Sequence, residues 1–432
     1  MKVNAGKTDT LETLTSRDQK HIWHPLTQHK THPTMLGIAR ASGVYLYDEQ
    51  GRAYIDGISS WYTAVYGHCN PYITSRVARQ MQELDQVVFS GFTHEPAVAL
   101  SEKLIGVLPA NQSRLFFSDN GSTSVEVAIK MSLQYHFNQG RKKKVLLAFE
   151  EGFHGDTFGA MSVSGLSVYN GPFADFSLEV RRIPVPGSKS VSEILDTLDV
   201  ILGQCEVAAF IYEPLVQGAA AMKTHDRKGL DRILSFLRDR GVLLIADEVM
   251  TGFGKTGSTF ASDQLETKPD ILCLSKALTA GLLPMAVTSC TDEIFQAFYS
   301  DEIARGFFHG HTYTANPLAC TAALAGLELL LSEEIQAGIS RIQEAHQAFL
   351  QDLKGHPKVQ DARQCGVILA LDLATDAARY GDFRDRVMAF FMERGIFLRP
   401  LGNTVYLLPP YVISTEELLA VYTAIGELLE DL

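Results

Sequence analysis

Val242-Leu243-Leu244-Ile245-Ala246-Asp247 and, further on, Ile271-Leu272-Cys273-Leu274-Ser275-Lys276 are the two stretches whose reading decides the fold. Each is a short apolar run closed by polar residues, the pattern of a buried strand in a parallel sheet. A carboxylate at the end of one and an amine just after the other both reach the carboxyl edge of such a sheet. That edge is where open α/β folds bind ligands. An Asp and a Lys placed there suit pyridoxal phosphate: the lysine forms the Schiff base, and the carboxylate keeps the ring nitrogen protonated so the ring can draw electrons.

Outward from these runs, the same rhythm repeats from Arg114 onward: short apolar strand, loop, longer amphipathic helix. Leu115–Phe117, Val145–Phe149, Val207–Tyr212, Val242–Asp247, Ile271–Leu274 and Met285–Ser289 are the strand candidates. Strands alternating with helices predict an α/β fold with a mostly parallel sheet covered on both faces. Before it, VYLYDEQGRAYID predicts a hairpin, Ile58–Asn70 a loop, and the stretches near Pro71–Asp85 and Pro96–Gly106 helices. After a helix from about Asn316 to Leu331 the chain reads helix, strand pair, helix, strand pair, helix. This tail is expected to form a small α+β lobe with the N-terminal segment. The expected division is 1–61 and 326–432 for the small lobe and 62–325 for the large one.

A chain of 432 residues is too long for one small core. Hydrophobic and charged contents of 46% and 20% are those of a folded chain rather than a disordered one. A net charge of −12 and a pI near 5.6 argue against nucleic-acid backbone binding. No apolar run is long enough to span a membrane, and the polar N-terminus lacks the core of a secretion signal. The six cysteines form no CxxC pair, so reduced thiols and a cytoplasmic location are expected.

Several constellations carry chemistry. Asn120-Gly121-Ser122-Thr123 opens a helix after a strand, either as a phosphate site of backbone N–H groups and hydroxyls or as a plain cap. Gly152-Phe153-His154-Gly155 sets an aromatic ring in a glycine-flanked loop, where it stacks on a flat heterocycle or packs into the core. Lys276 fits an imine-forming lysine or a solvated one at a helix start. His309-Gly310-His311-Thr312 matches zinc spacing poorly, so no metal is expected; the Thr312 hydroxyl suits a phosphate instead. Arg399, held extended by Pro400, fits bidentate carboxylate binding or an ion pair between lobes. Trp61 and Tyr62 fit the wall of an apolar substrate channel or an anchor for the hairpin. A rival reading takes Ala246-Asp247-Glu248 and Gly254-Lys255-Thr256 as parts of a nucleotide-hydrolysing site. It fails because Val249 stands where the phosphate loop needs its first glycine, and Gly6-Lys7-Thr8 fails the same spacing test.

Taken together and in order, NGSTSVEVAIKMS, GFHGDTFGAMSV, YEPLVQGA, LLIADEVMTGFGKTG, PDILCLSKALTAG and HGHTYTANPLAC resemble the class III aminotransferases of the fold-type I pyridoxal phosphate enzymes. HIWHPLTQ, DGISSWYTAVYGH and GIFLRPLGNTVYLLPPY are similar to the branch that aminates 8-amino-7-oxononanoate in biotin synthesis. The resemblance runs from about His21 to the end. It implies that Lys276 carries the cofactor and moves the proton, and that Asp247 pairs with the ring nitrogen. Gly121 and Ser122 would hold the phosphate, joined by His311 and Thr312 from the partner subunit of a homodimer. Phe153 would lie over the ring. Trp61, Phe153, Lys276, Gly310, Arg399 and Tyr406 would line the substrate site at the subunit interface. Three positions depart from the usual pattern: Leu26 and Phe153 stand where tyrosine is usual, and His311 where the best-known members have proline. S-adenosylmethionine is the expected amino donor, with lysine the alternative.

Overall fold

A computed structural model of the chain describes residues 13–32, 35–165, 170–375 and 381–432. Its strands, in chain order, begin with β1 (Ile38–Ser42), β2 (Tyr45–Asp48) and β3 (Ala53–Asp56). β4 (Gln112–Ser118), β5 (Val145–Phe149), β6 (Val180–Ile183) and β7 (Val207–Tyr212) follow. Then come the two-residue pair β8 (Val216–Gln217) and β9 (Lys223–Thr224), β10 (Leu243–Asp247), β11 (Ile271–Leu274) and β12 (Ala286–Thr291). The last are β13 (Val359–Cys365), β14 (Ile368–Leu373), β15 (Ile396–Phe397) and β16 (Thr404–Leu407).

Seven of these make the large sheet, in the order β4-β12-β11-β10-β7-β5-β6. β12 runs antiparallel to both of its neighbours, and every other adjacent pair is parallel. All six expected strands are present within a few residues. β5, β7 and β11 are buried along their whole length, which is why they read as continuous apolar runs. β6 was not foreseen: its sequence VRRI, with an exposed Arg181, is that of an edge strand. Among the described residues, no helix is long and apolar enough to cross a membrane.

The expected hairpin is β2–β3, joined by β1, which the sequence pattern did not reveal. The second strand pair of the tail is not a hairpin. β15 leaves β16 and pairs in parallel with β3, Ile396 opposite Ile55 and Phe397 opposite Asp56, while β16 pairs with β14. The N- and C-terminal segments therefore share one sheet, and the chain leaves β3 and β15 in the same direction. The expected boundary between 325 and 326 falls inside the helix Pro317–Leu330. Ile58–Asn70, expected as a loop, begins with a tight left-handed turn at Ser59–Tyr62.

Candidate active site

The carboxyl ends of five parallel strands of the large sheet supply the site. β4 leads into the helix Gly121–Asn138, β5 into the Gly152–Gly155 loop, β7 into Glu213, β10 ends on Asp247, and β11 leads to Lys276. Ala246 lies opposite Tyr212 and Asp247 opposite Cys273. Glu213 and Asp247 consequently leave the sheet side by side, with Lys276 a short step beyond.

Asp247 is 3% exposed. Its Oδ2 accepts from His154 Nδ1 at 2.7 Å and its Oδ1 from the backbone N–H of Val249 at 3.1 Å. Those two bonds leave acceptor capacity on a buried carboxylate, which a further N–H donor can fill. Glu213, also buried, accepts from the backbone N–H groups of Phe153 (3.1 Å) and Gly218 (3.0 Å). Burial pushes its carboxyl up to about 7, against the pull of His154 and the two N–H donors. Lys276, partly buried, has its pKa lowered by desolvation, and the charges of Asp247 and Glu213 offset part of the effect. Its Nζ lies 4.9 Å from the centre of the Tyr62 ring. Tyr62 donates its hydroxyl to Tyr406 at 2.9 Å, and both rings are buried.

The helix after β4 starts on Asn120, whose side chain accepts from the Thr123 N–H at 3.1 Å while the Thr123 hydroxyl accepts from the Asn120 N–H at 3.1 Å. This reciprocal cap leaves the N–H groups of Gly121 and Ser122 at the mouth of the helix. A Cβ at Gly121 would stand 2.8 Å from Val249 Cγ1, so the turn lies against the segment just beyond Asp247. Gly155, at φ +128°, comes so close to Ser122 that a Cβ would meet its Oγ at 2.1 Å. The Ser122 hydroxyl accepts from the Asp156 N–H at 3.2 Å, which ties this turn to the Phe153 loop. Phe153 itself is exposed at that loop.

On the opposite wall the Arg399 guanidinium lies 4.5 Å from the Trp61 ring centre. The parallel pairing of β3 and β15 explains this, since Trp61 follows one strand and Arg399 the other. Among the described residues Arg399 forms no ion pair, so the inter-lobe salt bridge is not what occupies it. Gly310, His311 and Thr312 stand apart. Their hydrogen bonds go to Thr314, Tyr313 and Gln86, and none joins them to Ser122, Asp247 or Lys276 within the chain. Gly254-Lys255-Thr256 is no phosphate loop either: Lys255 is fully buried, with Nζ donating to the Gly252 carbonyl at 2.9 Å.

The pattern of the family described as "Aminotransferase class-III" matches residues 26–429. The chain belongs to the class III aminotransferases. A curated relative from Synechococcus elongatus, named adenosylmethionine-8-amino-7-oxononanoate aminotransferase, is 44% identical over 95% of this aminotransferase and 99% of its own length. The crystal structure of the enzyme of that name from Methanocaldococcus jannaschii superposes with a TM-score of 0.90 at 32% identity, covering 96% and 98% of the two chains. A pyridoxal phosphate-bound amine transaminase from an uncultivated Pseudomonas species gives a TM-score of 0.87 at 29% identity, covering 94% and 97%. Within the chain, Lys276 lies beside Tyr62, Tyr62 is hydrogen-bonded to Tyr406, Arg399 lies over Trp61, and the Ser122 turn is tied to the Phe153 loop. Sequence reasoning gave no role to Glu213 or His154. Glu213 follows β7 as Asp247 ends β10, so the strand-end signal that found one was available for the other.

Proposed function

We propose that this chain converts 8-amino-7-oxononanoate into 7,8-diaminononanoate, a step of biotin synthesis, as an aminotransferase dependent on pyridoxal 5'-phosphate. The observation that carries this reading is the placement of Asp247 and Lys276 at one sheet edge, with Tyr62 beside Lys276 and Arg399, which forms no ion pair among the described residues, over the adjacent Trp61. Near-full-length similarity to relatives of that printed function supports it.

The residues present fit the cofactor. Asp247 has spare acceptor capacity for a ring nitrogen, Gly121 and Ser122 offer helix-start N–H groups and a hydroxyl for a phosphate, and Phe153, exposed in its loop, offers a ring face. Bound there, pyridoxal phosphate supplies an electron sink that weakens the C–H bond beside the transferred nitrogen. The rest falls to the chain. His154 fixes the orientation of the Asp247 carboxylate. Lys276 Nζ, with its lowered pKa, takes up and returns the proton at the substrate carbon. Arg399 binds the acceptor carboxylate, and Trp61 and Tyr406 flank its alkyl chain. The partner's His311 and Thr312 complete the phosphate site in a homodimer. Ile303 (80% exposed), Phe308 (75%) and Tyr313 (64%) surround that segment with apolar surface suited to a second subunit. S-adenosylmethionine is the proposed donor. Leu26 and Phe153, each lacking a hydroxyl, keep lysine as the second reading.

The test is to incubate the purified holoenzyme with 8-amino-7-oxononanoate and each donor in turn. Diamine formed with S-adenosylmethionine supports the proposal, diamine with lysine alone selects the second reading, and none with either refutes both.

A further inference from the structure

The turn that presents Trp61 and Tyr62 is strained. Ser59, Ser60, Trp61 and Tyr62 have φ values of 49°, 46°, 67° and 73°. Four consecutive residues with side chains thus occupy the left-handed region, which L residues enter only at a cost. Such a run persists where its surroundings over-determine it.

Asp56, at the end of β3 and fully buried, is the hub of those surroundings. Its Oδ2 accepts from the Ser60 hydroxyl at 2.7 Å and from His68 Nε2 at 2.8 Å, and its Oδ1 from the Ile58 N–H at 3.3 Å. His68 is itself anchored, exchanging backbone hydrogen bonds of 2.7 and 3.1 Å with Gly43. One carboxylate therefore ties together the start of the turn, its middle and the end of the loop beyond it. From the other side the Ser59 hydroxyl donates to the Leu408 carbonyl at 2.8 Å. Neither Asp56 nor His68 makes a hydrogen bond to Lys276, Asp247 or Arg399.

We propose that Asp56, Ser60 and His68 form a positioning unit that holds Trp61 against Arg399 and Tyr62 beneath Lys276, and so sets the affinity for the carboxylate-bearing acceptor. The inference rests on the function proposed above, in which that wall binds 8-amino-7-oxononanoate. Charge-assisted bonds to a buried carboxylate are strong enough to hold strained backbone. Without them, the two rings keep their chemistry and lose their placement.

Trp23 and Trp61 are the two tryptophans of the chain, so Trp23→Phe leaves the indole of Trp61 as the sole reporter. In that background Ser60→Ala and His68→Leu should shift the Trp61 emission maximum. The same changes in the otherwise natural holoenzyme should raise KM for 8-amino-7-oxononanoate about tenfold, as expected for one lost hydrogen bond to a charged group. They should change kcat and the absorbance of the Lys276-bound cofactor little. His68→Gln, which keeps an N–H donor, should recover most of both effects. The proposal is overturned if emission and KM match the parent. It is equally overturned if KM, kcat, cofactor absorbance and melting temperature all deteriorate together, the signature of a merely structural pair. A natural enzyme that makes no diamine refutes the proposed function instead, and the emission comparison, which needs no turnover, still judges the positioning unit.

Discussion

Replacing Glu213 by glutamine should make the pH dependence of stability shallower, by an amount the structure allows to be worked out. Burial lifts the carboxyl from 4.5 to about 7. Each pKa unit corresponds to about 1.4 kcal/mol, so the ionised form costs the native state about 3 kcal/mol. The sign follows from proton binding: between pH 4.5 and 7 the native state holds a proton that the unfolded state has released, so stability falls as pH rises through that window. Above pH 7 the cost is fully present, and below 4.5 it is absent. Glutamine keeps the volume and removes the charge. It replaces one acceptor oxygen by an amide, however, leaving one of the Phe153 and Gly218 N–H groups without its partner, at about 1–3 kcal/mol. At pH 5 the variant should therefore be less stable than the parent by about that amount. At pH 8 it should match or exceed the parent, because the relieved charge offsets the lost bond. Urea unfolding of the parent and Glu213→Gln at pH 5 and pH 8 measures the difference, and the contribution of Glu248, also raised to about 7 by burial, cancels between them. A stability difference that is the same at both pH values would refute the reasoning. Glu213 is also one of two negative charges supporting the Lys276 ammonium. The acidic limb of the activity profile should accordingly move to lower pH in the same variant.

Lys276→Ala should abolish turnover and the borohydride-fixable yellow absorbance while the far-ultraviolet circular dichroism stays that of the parent; retained transamination would contradict its role. Asp247→Asn preserves shape but replaces the carboxylate that accepts from His154 and Val249. With charge-assisted bonds worth about 1.5–3 kcal/mol and the attraction to a ring nitrogen added, kcat/KM should fall at least about a hundredfold in a steady-state assay. Arg399→Leu should raise KM for the keto acid about tenfold or more while leaving a half-reaction with a donor lacking a terminal carboxylate nearly unchanged, as stopped-flow absorbance would report. Gly155→Ala, forced against Ser122 at a φ that disfavours side chains, should weaken cofactor retention, seen as faster loss of absorbance on dialysis.

Much of this arrangement was readable from residues alone, and the reasons differ from element to element. Strands buried on both faces, such as Val207–Tyr212 and Ile271–Leu274, announce themselves because nothing polar interrupts them. Asp247 and Lys276 stood out because each closes such a run. β6 was missed because VRRI is half polar, as an edge strand can be. β15 was paired with β16 because they are adjacent in sequence, whereas its partner β3 lies near the other end of the chain, a distance no local pattern spans. The left-handed turn at Ser59–Tyr62 gave no warning either. Glycine is the usual sign of positive φ, and here two serines, a tryptophan and a tyrosine adopt it under the constraint of Asp56. Gly310, His311 and Thr312 are the complementary case: the resemblance assigned them to a neighbouring subunit, and one chain alone leaves them without contact to the other site residues by hydrogen bond.

The antiparallel strand β12 has a mechanical meaning. After β11 the chain turns back into β12 through a single short 3-10 helix, Lys276–Thr279, with Ser275 Oγ donating to the Met285 carbonyl at 2.8 Å and Thr279 Oγ1 to that of Leu283 at 2.5 Å. Lys276 is thereby mounted in a short clasp whose two ends are rooted in the buried strands of the large sheet. Its reach is set by its own methylenes rather than by any hinge, so variation in what the enzyme accepts has to arise in the opposing wall, around Trp61 and Arg399, where segments from the two ends of the chain meet.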